Sequence, residues 1–175
     1  MNRLLYGVIT SLDGYVADEA GNFDWSEPDE EVHQFVNDRE RPIGTYFYGR
    51  RLYEVMKAWE TFGDDPITLD YAEQWRAADK IVVSSTLSTV DTARTRIERA
   101  WNPSLLDSVE GDSLIGGPTL AAAAMDLITD FEFYVSPVIV GAGKRALPDG
   151  LKLDLALVDE RRFGNGVVWT HYVRR

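Results

Sequence analysis

The chain has 175 residues, 45% of them hydrophobic, with five Trp and a formal net charge of −11; that length suits one domain with a sizeable core, and that charge argues against general binding to nucleic acid or anionic membrane. It has no Cys, which excludes disulfide and thiolate chemistry, and its two His, His33 and His171, do not form a metal-ligand cluster. No apolar run approaches the roughly 20 residues of a membrane span, and the start carries no signal-peptide pattern, so the expectation is a cytoplasmic protein.

Leu4 to Ile9 is apolar and β-branched and reads as a buried first strand that ends in the turn Ser11-Leu12-Asp13-Gly14. Glu19 to Glu27 is polar and turn-rich. Pro28 marks a helix start, with Asp29, Glu30 and Glu31 in the first turn and Val32, Phe35 and Val36 at helical spacing. Thr45 to Tyr48 reads as a strand, Arg50 to Trp59 and Pro66 to Ala77 as helices, Ile81 to Val83 as a buried strand and Arg94 to Arg99 as an edge strand. Pro103 to Val109 reads as a short helix, Ser113 to Ile115 as a strand, Thr119 to Ile128 as an Ala-rich helix and Phe131 to Ile139 as a long apolar run. Leu155 to Phe163 and Val167 to Val173 flank Gly164-Asn165-Gly166, a hairpin signal. Strands alternating with helices before a β-rich end predict one α/β domain over 1–175, with a mostly parallel sheet and an antiparallel C-terminal edge.

Three strand-like runs stop at glycines or small hydroxyls: at Gly49-Arg50-Arg51, at Ser84-Ser85-Thr86 and at Gly116-Gly117-Pro118-Thr119. Backbone N–H groups at such junctions attract anions. Three in one small domain point to an extended ligand with several phosphates, such as a dinucleotide. Gly116 and Gly117 let the backbone approach a diphosphate. Arg50 and Arg51 stand at a helix start, where the dipole disfavours cations, so their placement makes sense against a bound anion. With Ser85 they favour NADPH over NADH, because the 2′-phosphate needs positive partners.

The same segments resemble the dihydrofolate reductase-like superfamily, and within it the bacterial group similar to the C-terminal reductase domain of the bifunctional riboflavin-biosynthesis protein. Ser11-Leu12-Asp13-Gly14-Tyr15-Val16-Ala17 is similar to the signature after that group's first strand. Gly49-Arg50-Arg51-Leu52-Tyr53-Glu54 is similar to the phosphate segment of dihydrofolate reductases, with Leu52 where Thr is usual. Ile115-Gly116-Gly117-Pro118-Thr119-Leu120 resembles the glycine pair at the pyrophosphate, and Ser136 to Arg145 the P-V-x-x-G-x-G-[KR] stretch of the riboflavin-reductase-like branch. The resemblance covers nearly the whole chain. It implies a three-layer fold, and an NADPH site built from Gly14, Gly49, Arg50, Arg51, Leu52, Ser84, Ser85, Ile115, Gly116, Gly117, Pro118, Thr119 and Leu120.

For the chemistry it implies an acid on the first helix: alignment on Pro28 selects Glu30, and alignment on Phe35 selects Glu31. Asp13 lies beside the nicotinamide or only caps its own loop, and Phe35 either stacks on a substrate ring or packs in the core. The expected activity is NADPH-dependent reduction of a small heterocycle, either a dihydrofolate-like pterin or a ribosylamino-pyrimidine precursor of riboflavin. The rival is a nucleotide-binding or regulatory protein that keeps the cleft without turnover. The apolar Phe131 to Tyr134 run and the C-terminal hairpin imply a homodimer.

Overall fold

The computed structural model describes residues 2–175; Met1 lies outside the described residues. In chain order the elements are β1 (Leu4–Thr10), β2 (Tyr15–Ala17), α1 (Glu30–Glu40), β3 (Ile43–Gly49), α2 (Arg50–Met56), α3 (Pro66–Ala77) and β4 (Asp79–Val83). There follow β5 (Thr95–Glu98), β6 (Asp112–Gly116), α4 (Pro118–Ala123), β7 (Asp130–Val135), β8 (Lys144–Arg145), β9 (Leu155–Arg162) and β10 (Val168–Arg174).

Eight strands form one sheet in the order β5-β4-β3-β6-β1-β7-β10-β9. From β5 to β7 every pair is parallel. The C-terminal hairpin adds β10 and β9 antiparallel, as the alternating order followed by a hairpin signal predicts. Phe163 N–H donates to Val167 O at 2.9 Å, and Gly166 takes a φ of 89° at the tip. β2 and β8 make a separate two-stranded patch whose three and two residues are too short to show a period in the sequence.

Strand alternation sorts the core into layers. Leu4, Tyr6, Phe47, Ile81, Ile115 and Phe131 face α4. Leu5, Tyr46, Tyr48, Val82 and Leu114 face α2 and α3, where Tyr53, Tyr71 and Trp75 pack. Val32 of α1 packs with Tyr134, Phe163, Val167 and Trp169 over the C-terminal hairpin. The buried Lys80 is part of this frame: its Nζ donates to Trp75 O and Ala78 O, both at 2.9 Å, and so ties the C-terminal end of α3 to β4. Burial pushes its pKa down to about 8.

Some boundaries move for local reasons. Asp29, not Pro28, is the cap of α1; its carboxylate accepts from Val32 N at 2.9 Å. α2 ends at Met56 and continues as a 3-10 turn over Lys57–Glu60. The Ala-rich helix stops at Ala123, with a 3-10 turn at Met125–Leu127, and the Pro103–Ser108 segment is likewise 3-10. The apolar run from Phe131 is a strand only to Val135, since Pro137 has no N–H for a ladder.

Candidate functional site

A cleft of about 2070 Å³ opens along the carboxyl ends of β3, β4 and β6 and extends between α1 and the α2–α3 side. Ligands of open α/β sheets bind outside such carboxyl ends. All three junctions line it. β3 delivers Gly49, Arg50, Arg51 and Leu52; β4 delivers Ser84, Ser85 and Thr86; β6 delivers Gly116, Gly117, Pro118, Thr119 and Leu120. Of the expected cofactor residues, Gly14 and Ile115 do not line it: Ile115 is fully buried in the β6 core, and Gly14 O accepts Ala146 N–H at 2.9 Å in a loop outside it.

The glycines serve different ends. A Cβ on Gly116 would collide with Leu52 Cδ2 and press on the Tyr48 ring, so its bareness admits Leu52 rather than a ligand. Gly117 has φ 86° and caps α4, a conformation that favours glycine. Gly49 is the open one. Its φ of −76° suits any residue, and a Cβ there would meet no protein atom within 4 Å.

Positive charge collects at the β3–β4 end. Arg50 is held by Glu54 at 2.9 Å and donates to Thr86 Oγ1 at 3.0 Å. Arg51 is exposed and has no ion pair among the described residues. Arg99 donates to Leu87 O at 2.6 Å, bracing the Ser84–Leu87 turn from the strand beyond. On the α4 side, Lys144 Nζ donates to Thr119 Oγ1 at 2.9 Å. Arg99 is a cleft residue that sequence reasoning missed: it follows a short edge strand and carries no motif.

The expected first-helix acids stand outside the cleft. Glu31 accepts from Arg161 Nη2 at 2.9 Å and Gly164 N at 3.0 Å, which ties α1 to the C-terminal hairpin. That N–H and the guanidinium hold its carboxyl below the usual range. Glu30 is exposed, and neither acid lines the cleft. Phe35 points the same way as Glu31, stacking edge-on against Phe163 at 5.2 Å and Trp169 at 4.9 Å. It packs partly buried against the hairpin cluster and does not line the cleft. Asp13 is also spent on structure. Its oxygens accept from Ser11 Oγ at 2.7 Å, Val140 N at 3.1 Å and Gly141 N at 2.7 Å, holding two loops together. The Ser11 hydroxyl, with those N–H groups, holds it down to about 2.

The cleft-facing stripe of α1 is His33, Val36 and Glu40, at i, i+3 and i+7. Glu40 Oε2 accepts two hydroxyls, Tyr46 Oη and Tyr71 Oη, each at 3.0 Å. Burial pushes the Glu40 carboxyl up to about 7, against the pull of those hydrogen bonds. His33 meets Trp59 at 5.8 Å and Tyr71 at 5.8 Å, and Trp59 meets Tyr71 at 4.8 Å, so three rings wall this compartment. Burial lowers the His33 pKa and keeps the ring neutral at pH 7. The cleft therefore has a cationic, hydroxyl-rich end suited to phosphates and an aromatic end that carries the Glu40 carboxyl.

Comparison with known proteins agrees with this architecture. YyaP, an uncharacterized protein of Bacillus subtilis (strain 168), is 27% identical over 97% of this chain and 94% of its own length. The crystal structure of a Shewanella sp. PV-4 protein provisionally assigned to riboflavin biosynthesis superposes with a TM-score of 0.76 at 20% identity, covering 100% and 99% of the two chains. Dihydrofolate reductase from Enterococcus faecalis, solved with NADP(H), superposes with a TM-score of 0.65 at 13% identity, over 99% and 96%. These likenesses establish the dihydrofolate reductase-like fold. The family model described as the RibD C-terminal domain matches residues 3–169, and the chain belongs to that family.

Proposed function

We propose that this protein is a reductase that takes hydride from NADPH and delivers it to a small heterocyclic substrate. The observation that carries the proposal is the two-ended cleft. Three strand ends, two opening into helices and one into a turn, line one end with Arg50, Arg51 and Arg99; Trp59, Tyr71, His33 and Glu40 line the other. An extended dinucleotide laid along the first end would direct its nicotinamide toward the second. The cofactor would carry the redox chemistry, while the chain binds, orients and excludes water. Arg50, Arg51 and Ser85 favour NADPH, since a 2′-phosphate gains charge-assisted hydrogen bonds there. A cytoplasmic location goes with this activity, because reduced nicotinamide is supplied there.

The substrate class is a dihydrofolate-like pterin or a ribosylamino-pyrimidine precursor of riboflavin, both flat heterocycles that suit an aromatic wall with one polar contact. One observation favours the rival, a nucleotide-binding protein without turnover: Leu52 puts an apolar side chain in the phosphate turn and fills the space over Gly116. The two are separated by following NADPH oxidation with dihydrofolate and with the riboflavin pyrimidine intermediate. Turnover of either is expected; tight NADPH binding with no oxidation against both would favour the rival.

A further inference from the structure

Glu40 is the carboxyl on the cleft-lining stripe of α1, beside Tyr46 and Tyr71, and its two oxygens differ. Oε2 takes both tyrosine hydroxyls, which fill its acceptor positions. Oε1 has no hydrogen-bond partner among the described residues, and Glu40 lines the cleft. Oε1 is not enclosed by protein, so it is available to whatever occupies the cleft, and a ligand that displaces water from it must replace the hydrogen bond. We propose that Glu40 is the specificity-determining residue of the cleft, its Oε1 hydrogen-bonding a ring nitrogen or ring carbonyl of a flat heterocycle held against Trp59 and Tyr71. The inference rests on the aromatic end being the substrate end of the proposed reductase.

The geometry fixes the direction of that hydrogen bond. With Oε2 saturated by donors, the carboxyl proton resides on Oε1, so neutral Glu40 presents an O–H to the cleft. The acid is then a donor that selects acceptor-bearing rings, and it loses that role on ionisation. The groups around it are Tyr46 and Tyr48 of β3, Tyr71 of α3, and Tyr134 and Glu132 of β7, with His33 on the same cleft-lining stripe of α1. Glu132 is paired with Arg39. Burial raises Tyr46, Tyr48, Tyr71 and Tyr134 well above the ordinary tyrosine value and lowers His33. Lys80, opposite Tyr46 in the β3–β4 ladder and held down to about 8, titrates in the same range but is common to the parent and Glu40→Gln, so the difference between those two proteins between pH 6.5 and 8.5 reports Glu40.

Pyrazine tests this: it is flat, carries only ring-nitrogen acceptors and does not titrate in that window. Toluene is the ring without an acceptor. In protein labelled with ¹³C at glutamate carboxyls, the Glu40 signal is the one missing from Glu40→Gln. Pyrazine should move it at pH 6.5 and toluene should not. Pyrazine affinity of the parent should fall about tenfold between pH 6.5 and 8.5, the loss of one hydrogen bond. Glu40→Gln, whose amide N–H mimics the neutral acid, should bind equally at both. If that variant does not fold, Tyr71→Phe serves instead: it removes one donor from Oε2 and should shift the pH midpoint of pyrazine binding upward. A Glu40 signal unmoved by pyrazine, equal binding of pyrazine and toluene, or a parent affinity independent of pH would each overturn the proposal. Pyrazine binding needs no cofactor, so a failure of NADPH binding would count against the reductase alone.

Discussion

At the scale of single residues, the cleft is governed by how completely each polar group is already used. Asp13 and Glu31 resemble catalytic acids in sequence, yet both oxygens of each are engaged by donors of the same chain: a hydroxyl and two N–H groups for Asp13, a guanidinium and an N–H for Glu31. Glu40 keeps one oxygen open. Its carboxyl has a folded pKa raised from 4.5 to about 7 by burial. A raised acid binds its proton more tightly in the folded chain, so its stabilising share is complete below the unfolded pKa and is lost as pH rises through the folded one. From about pH 5 to pH 8 the parent should therefore lose on the order of 2–3 kcal/mol relative to Glu40→Gln. Urea unfolding of both proteins at the two pH values measures this, and a difference that does not change with pH would contradict it.

At the scale of elements, much was legible because period and punctuation agreed. The parallel strands, the Asn-Gly hairpin and the three glycine or hydroxyl junctions all lie where alternation and turn residues put them. The face of α1 was not legible. Phe35 and Val36 are both apolar and adjacent, and nothing local tells which side of the helix meets the cleft. Only the sheet order settles it, placing Phe35 over Trp169 and Glu40 beside Tyr46. Glu40 itself reads as one more surface acid near a helix end. The end of β3 allows a separation of packing from binding. Because a Cβ on Gly49 meets no protein atom, Gly49→Ala should change stability by no more than about 1 kcal/mol, the scale of a cap substitution. The methyl would project where the dinucleotide backbone should lie, so NADPH affinity should drop at least about tenfold. Unchanged affinity would mean that the cofactor does not approach this turn.

At the scale of the whole molecule, the sequence placed an interface on Phe131 to Tyr134, but β7 lies between β1 and β10, Phe131 and Tyr134 are buried by their own chain, and Phe133 is partly buried. An interior strand and an interface strand look alike in sequence, since both are apolar on the covered face. The apolar side chains left in the open near that end are Leu157, Val158 and Val168 on the hairpin and Leu12 and Ile139 in adjoining loops. We propose a two-fold dimer across this end, the commonest closed assembly. Light scattering should give about twice 19.7 kDa, and Val158→Lys, at a site 56% exposed, should give a folded monomer. A parent that is monomeric at micromolar concentration would refute it.

The central claim is that the cationic end of the cleft holds the 2′-phosphate of NADPH. Titration calorimetry of the parent, Arg50→Ala and Arg51→Ala with NADPH and with NADH tests it most directly. A charge-assisted hydrogen bond is worth about 1.5–3 kcal/mol, so the parent should bind NADPH at least about tenfold more tightly than NADH. Each Arg variant should lose affinity for NADPH while keeping that for NADH. Equal affinity of the parent for the two cofactors, or binding of neither, would contradict the account.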